Sequence, residues 1–165
     1  MSLSALLAGP TLYARLSPDR LTVRNPKSGD TFDEPAVLAI TQGQRKRVAA
    51  VGAAALAWSG TEPVDLLHPF AHQRSLVSDF TVGEQLLKFA LQQLMRKGWL
   101  ALSPRLVLHP PGDVLGGLTG IELRALREMA LGAGAREVTI WQGPALSDAQ
   151  LLSGQLPPTG QVLVA

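Results

Sequence analysis

The sequence predicts an α/β domain in which a short strand meander is followed by a βαβαβ run, with helices packed on a mixed sheet. Three observations carry this prediction. The first half holds short apolar segments separated by turn chemistry, two Thr-x-x-Glu signatures then open apolar-periodic stretches, and strand-like runs alternate with those stretches to the last residues.

Taken in order, "TLYARLS" (Thr11 to Ser17) and "RLTVRN" (Arg20 to Asn25) are joined by Ser-Pro-Asp and predict a hairpin. "PAVLAIT" (Pro35 to Thr41) and "RVAAVG" (Arg47 to Gly52) form a second pair around the polar loop 42–46. "GAAALAW" (Gly52 to Trp58) predicts a first short helix, stopped by Ser59, Gly60 and Pro63, and residues 62–78 read as irregular. Thr81 and Glu84 form a capping box for an amphipathic helix that carries Leu87, Leu91 and Leu94 and ends near Gly98. Arg96 and Lys97 fall in its last turn, where the helix dipole favours cations. The strand "RLVLH", a helix from Thr119 to Ala133 that buries Leu126 and Met129, the strand "REVTIW", a short helix near Ser147 to Leu152 and a last strand "QVLVA" complete the order.

Composition narrows the function classes. A chain of 165 residues with 46% hydrophobic content suits one domain with its own core, read here as a single unit over residues 1–165 with a small inserted subdomain at about 52–80. No run reaches the roughly 18 apolar residues of a membrane span. "MSLSALLAGP" lacks a basic start and predicts no secretory leader. The absence of cysteine excludes disulfides and thiolate metal sites and agrees with a cytoplasmic setting. A formal charge of +2 is too small to argue for nucleic acid.

Several constellations invite chemistry and fail on spacing. The glycines 112, 116, 117 and 120 precede a helix, where backbone N–H groups can bind anions. The stretch fits neither Gly-x-x-x-x-Gly-Lys nor Gly-x-Gly-x-x-Gly, Asp113 adds a negative charge, and Thr119 with Glu122 caps the helix from within. His68 and His72 stand four apart, but Pro69 argues against a helix and no third ligand is evident, so no metal is expected. Asp113 and Glu122 lack a nucleophile to serve, and Ser75, Ser78 and Ser103 lack a Gly-x-Ser-x-Gly setting.

Longer segments resemble the family of the bacterial actin homologue MreB, the rod shape-determining proteins. "DEPAVLAI" (Asp33 to Ile40) is similar to that family's Glu-Pro-Ser-Val-Val-Ala-Ile, and "VAAVGAAALAWSGTEP" (Val48 to Pro63) to its Ala-Val-Gly strand end and Gly-x-Thr-Pro turn. "DFTVGEQLLKF" (Asp79 to Phe89) resembles its Asp-Phe-x-Val-Thr-Glu helix start, with Gly83 in place of the usual Thr. "SPRLVLHPPG" and "IELRALREMALGAGAREV" resemble its Pro-Arg-Val strand, its Val-Glu-Arg-Arg-Ala helix and its Gly-Ala-Gly-Ala-Arg-Glu-Val ending. The resemblance runs from about Thr11 to Ala165 and covers about the first half of a family member. It implies the actin-like, ribonuclease-H-like fold and, within it, the N-terminal lobe. In that fold, phosphates lie between two lobes, gripped by one glycine-rich hairpin loop from each.

The resemblance also shows what has changed. The first phosphate loop, Asp-x-Gly-Thr, is expected just before "TLYARL", which places Ser4 at the Asp and Leu6 at the first Gly. The second, Asp-x-Gly-Gly-Gly-Thr, begins at Ala165. The Glu-Glu-Pro that serves the attacking water is Gln142, Gly143 and Pro144 here, and an amide cannot take a proton from water at neutral pH. The expectation is a pseudo-ATPase without cofactor or metal, acting by protein–protein interaction with a full-length actin homologue, another cell-shape or division protein, or a second copy of itself. The alternatives are a nucleotide or small-molecule half-domain completed by a second polypeptide, and a peripheral module at the inner face of the membrane. For the last, Trp99, Leu100 and Leu102 beside Arg96 and Lys97 match the hydrophobic loop that enters the membrane in the family. The competing reading is that Trp99 packs on the lobe.

Overall fold

The computed structural model describes residues 9–71, 79–95, 102–112 and 117–164. Six strands form the main sheet: β1 (Thr11–Leu16), β2 (Arg20–Arg24), β3 (Thr31–Pro35), β7 (Arg105–His109), β8 (Glu137–Gln142) and β9 (Gln161–Val164), in the order β3-β2-β1-β7-β8-β9. The predicted β1–β2 hairpin is present, and β3, which the sequence reading lacked, extends it antiparallel, whereas the second predicted pair lies in a separate sheet. β1, β7 and β8 are parallel, so the βαβ units form as expected. The last strand departs from that pattern, because β9 lies antiparallel on β8. Its only intervening helix is the six-residue α4 (Asp148–Ser153), too short for the usual crossover that returns a strand in the parallel sense.

A second, three-stranded sheet has the order β5-β4-β6, built from β4 (Leu38–Thr41), β5 (Val48–Val51) and β6 (Val64–Leu67). This unit starts at Leu38 rather than near residue 52, and β6 lies within the stretch read from sequence as irregular. The short helix α1 (Ala53–Leu56) follows β5. Its N-cap, Gly52, has φ +63°, a conformation that favours glycine. No side chain at the cap position serves the helix. The Ala53 N–H instead donates to Glu34 Oε2 at 2.9 Å, from the neighbouring sheet.

One face of the main sheet carries the core. Leu12, Ala14, Leu106, Leu108, Val138 and Ile140 pack against α2 (Phe80–Met95) and α3 (Gly120–Gly132), which bury Leu86, Leu87 and Leu91, and Leu126 and Met129. Alternation along the strands sends Tyr13 and Trp141 to the opposite face, where they meet Leu146 and Leu151 in a smaller cluster. The α3 capping box is present as predicted, with the Thr119 hydroxyl accepting from Glu122 N–H and the Glu122 carboxylate accepting from Thr119 N–H. The box expected at Thr81 and Glu84 is displaced. The helix starts two residues earlier, and Asp79 Oδ1 accepts the Val82 N–H at 3.1 Å. A carboxylate is a strong N-cap, and Glu84 instead lies against Gly132 of α3.

Candidate functional site

Parallel strands bring their carboxyl ends to one edge of the sheet, where ligands of open α/β folds bind. Here that edge carries Arg15 on β1, His109 on β7 and Gln142 on β8, with Arg15 and His109 in register. His109 is buried, and its Nδ1 lies 2.5 Å from the Tyr13 hydroxyl. That hydroxyl also accepts the Leu146 N–H at 3.2 Å. A Tyr13 hydroxyl proton pointed at Nδ1 puts the imidazole proton on Nε2. Burial, with Arg15 adding repulsion, holds the His109 pKa below its ordinary value, while the Gly143 carbonyl opposes the shift. Burial likewise raises the Tyr13 phenol, and the Leu146 bond, Arg15 and Arg24 pull it back in part.

Further contacts pin the chain that leaves β8. Trp141 Nε1 donates to the Pro144 carbonyl at 2.9 Å, and Arg24 Nη2 to the Leu146 carbonyl at 3.1 Å. Arg24 sits 5.6 Å from the Tyr13 ring centroid, and its Nε is 2.8 Å from Asp148 Oδ1. That Nε–H is not aligned on the carboxylate, so the contact is an ion pair by proximity without a hydrogen bond. Gly160 is required beside Trp141, since a Cβ there would meet the indole at 2.2 Å.

This arrangement is a brace. His109 Nδ1 is engaged by the Tyr13 hydroxyl, and burial favours the neutral imidazole and the protonated phenol. The Gln142 amide oxygen accepts from Gln161 Nε2 at 3.1 Å. The turn between β1 and β2, Ser17-Pro18-Asp19, contains no glycine and closes on itself through Ser17 N–H to the Arg20 carbonyl and the Ser17 hydroxyl to Asp19. Among the described residues, no group of three or more His, Cys, Asp or Glu is placed to hold a metal ion. Among the described residues at this edge, the β1–β2 turn carries no glycine and the end of β8 carries the Gln142 amide in place of a carboxylate.

The sequence-predicted positions fall in different places. Gln142 and Gly143 sit together at this edge. Ser4, Leu6, Ala165, Arg96, Lys97, Trp99, Leu100, His72, Ser75, Ser78 and Asp113 lie outside the described residues. Leu102 is exposed and precedes β7, at the opposite end of the parallel strands from Gln142. Among the described residues, the hairpin at this edge is β1–β2, with its turn at residues 17–19. The Tyr13–His109 pair has no signal in the sequence, because 96 residues separate its members and only the parallel register joins them.

Comparison with known proteins decides the relationship. The family model described as "MreB/Mbl protein" matches residues 19–149. The chain belongs to the MreB/Mbl family. It is 35% identical over 121 residues to the cell shape-determining protein MreB of Haemophilus influenzae, an alignment covering 72% of this chain and 33% of that protein. With MreB of Escherichia coli it shares 36% over 119 residues, covering 70% and 33%, and with Mbl of Bacillus subtilis 27% over 136 residues, covering 82% and 39%. The chain thus spans about a third of the length of the curated MreB proteins it matches. In fold it is similar to MreB5 of Spiroplasma citri, a structure bound to ADP, with TM-score 0.62 at 20% identity over 81% of this chain and 38% of that one. A non-polymerising MamK mutant bound to AMPPNP gives TM-score 0.62 at 16% identity, covering 81% and 40%. The MreB-like architecture predicted from sequence is therefore present as an actin-like α/β lobe.

Proposed function

We propose that this MreB-like chain is non-catalytic and acts by protein–protein interaction, modulating an actin-like filament or the cell-shape or division machinery. The observation that carries the reading is the end of β8. Where the family resemblance places a carboxylate to activate water, Gln142 presents an amide, already bonded to Gln161. Phosphoryl transfer relies on positioning and charge stabilisation, and a lobe without either has little to contribute to it. The β1–β2 turn supports the same reading, since proline and its own hydrogen bonds replace a glycine-lined loop. The lobe's core is kept intact beside these losses, which favours a retained docking role.

The test is co-sedimentation with filaments of full-length MreB from the same cell, with and without ATP. Saturable, substoichiometric co-pelleting is expected of an end-binding modulator. Separation in both conditions removes this partner. Thermal melting with Mg-ATP tests the catalytic side: a ligand at 100 times its dissociation constant stabilises by about 2.7 kcal/mol, so a shift of that size would overturn the non-nucleotide reading.

A further inference from the structure

The β4–β5 hairpin carries a basic loop that the proposed function does not use. Gln42 to Arg47 are exposed, yet the loop is fastened at its base. The hydroxyl of the buried Thr41 accepts the Arg47 N–H at 3.1 Å and donates to the Arg45 carbonyl at 3.4 Å, and the Thr41 N–H donates to the Arg47 carbonyl at 3.0 Å. A cavity of about 520 Å³ lies beside the loop, lined by its Gly43, Arg45 and Arg47 and by Glu62 and Pro63, which lead into β6. Glu62 is engaged by Arg47 at 2.6 Å, and Asp65 accepts from the Gln42 amide at 2.7 Å. Among the described residues, no carboxylate pairs with Arg45 or Lys46. The stretches outside the described residues contain one acidic side chain, Asp113, four residues past the end of β7 of the main sheet. Two neighbouring cations therefore stand without an acidic partner.

From the Glu62 and Pro63 side of the cavity runs an unpaired strand edge, since β6 is terminal in the small sheet. Gln42 N–H donates to the Pro63 carbonyl at 3.1 Å, and Thr41 lies opposite Val64 in the antiparallel register. This phase turns Asp65 and Leu67 to β4 and sends the N–H and C=O of Val64 and Leu66 outward. Among the described residues, none of these four groups has a hydrogen-bond partner. Val64 and Leu66 share one face of the strand, and Leu66 is 43% exposed. In a pairing with β6 of a second copy, the register that engages all four groups sets Asp65 opposite its own copy, which disfavours that occupant. A strand added antiparallel to β6 has its carboxyl end beside Pro63, two strand spacings, about 10 Å, from β4 and its loop. That separation is within the joint reach of an arginine and a glutamate side chain.

We propose that the β6 edge and the 42–47 loop form a docking site for an extended segment of a partner protein, apolar beside Val64 and Leu66 and acidic at its carboxyl end beside Arg45 and Lys46. The inference deepens the interaction reading above by naming a surface and the chemistry it accepts. Backbone pairing to Val64 and Leu66 supplies affinity, and the two cations select the acidic end and so the direction of the segment. Glu62 and Asp65 flank the cations, which penalises a continuous anionic surface more than two placed carboxylates.

The experiment follows labelled probes by fluorescence anisotropy: acetyl-Val-Thr-Val-Ser-Glu-Glu-amide, the same peptide with lysine for glutamate, and the acidic sequence reversed as a charge-matched control. Amide hydrogen exchange at Val64 and Leu66 is read in parallel. Expected are saturable binding of the acidic probe that weakens with salt, about tenfold weaker binding of the other two, and slowed exchange at both amides. The double change Arg45→Glu, Lys46→Glu lies on the exposed loop and is expected to reverse the preference between the acidic and lysine probes. Leu66→Pro removes an outward donor without touching the β4 ladder and is expected to weaken binding about tenfold. Absence of binding, equal binding of the reversed sequence, or insensitivity to either change overturns the proposal. Binding to phosphatidylglycerol vesicles that the double change abolishes, with no peptide binding, would assign the loop to a lipid surface and overturn it. Exchange that slows on raising protein concentration alone would assign the edge to a second copy and overturn the partner named here. The assay needs no filament, so its failure leaves the co-sedimentation experiment to judge the wider reading.

Discussion

Acidification should destabilise this lobe through His109, and the size of the effect follows from the brace. In the folded chain, His109 Nδ1 faces the Tyr13 hydroxyl, with the Arg15 cation on the adjoining strand β1, Arg24 on β2 and Asp148 beside Arg24. Protonation would put a proton on Nδ1, the atom that accepts from Tyr13, and add a cation beside Arg15. The folded pKa accordingly lies below the ordinary value of 6.5. The unfolded chain then takes up a proton that the folded chain refuses as pH falls below that value, so the stabilisation is complete above pH 6.5 and declines beneath it until the folded pKa is reached. One such proton gives a slope of up to about 1.4 kcal/mol per pH unit, or roughly 3–6 °C in melting temperature for a chain of this size. The assay compares wild type with His109→Gln by thermal melting between pH 7.5 and 5. The other two histidines are common to both proteins, so the comparison isolates His109. Asp33, whose carboxyl is lowered mainly by its bond to Arg20, loses its contribution only as pH falls through the acidic range below the ordinary carboxylate value of 3.8, outside this window. The variant should start less stable and show the shallower slope. Parallel curves for the two proteins would refute the assignment of a buried, neutral imidazole.

Other changes test the frame around it. Leu126→Ala, at a fully buried position between α3 and the sheet, should cost about 2–5 kcal/mol by urea denaturation. Thr119→Ala removes the hydroxyl that accepts the Glu122 N–H, while keeping the backbone bond to the Glu122 carboxylate, and should cost about 0.5–2 kcal/mol, with fraying visible in exchange of the first-turn amides. Gly160→Ala drives a methyl into the Trp141 indole and should lower the melting temperature and alter the near-ultraviolet tryptophan signal, whereas Gly154→Ala, with open space around it, acts only through its φ of +70°. Glu34→Gln should be milder than Glu34→Ala, since the amide oxygen can still accept the Ala53 N–H that alanine leaves unpaired.

The elements legible in the sequence were those with strong local chemistry. Ser-Pro-Asp turned β1 into β2, and the Thr119–Glu122 box started α3, because turns and caps are decided within four residues. β3 was hidden by Asp33, Glu34 and Pro35, residues poor in central strands and tolerated at an edge. β6 was hidden between prolines, with Asp65 in its middle. Thr81 was outcompeted as a cap by Asp79, two residues away in an equally plausible register. The sense of β9 depended on a short return helix rather than on the strand's own residues. At the candidate site, Gln142 and Gly143 could be placed from their neighbours in the chain. The histidine–tyrosine brace could not, because strand register across the sheet creates it.

The position of β1 between β2 and β7 also sets an order for synthesis. Its hairpin with β2 can close early, but its other edge and the apolar side chains Leu12 and Ala14 await β7, and Tyr13 awaits a histidine 96 residues further on. At about 5–20 residues per second, that is an interval of roughly 5–20 s during which the nascent meander carries an open strand edge and an uncovered apolar face. Chaperone capture during those seconds, rather than the equilibrium stability of the finished lobe, would then govern how much of the protein a cell recovers in folded form.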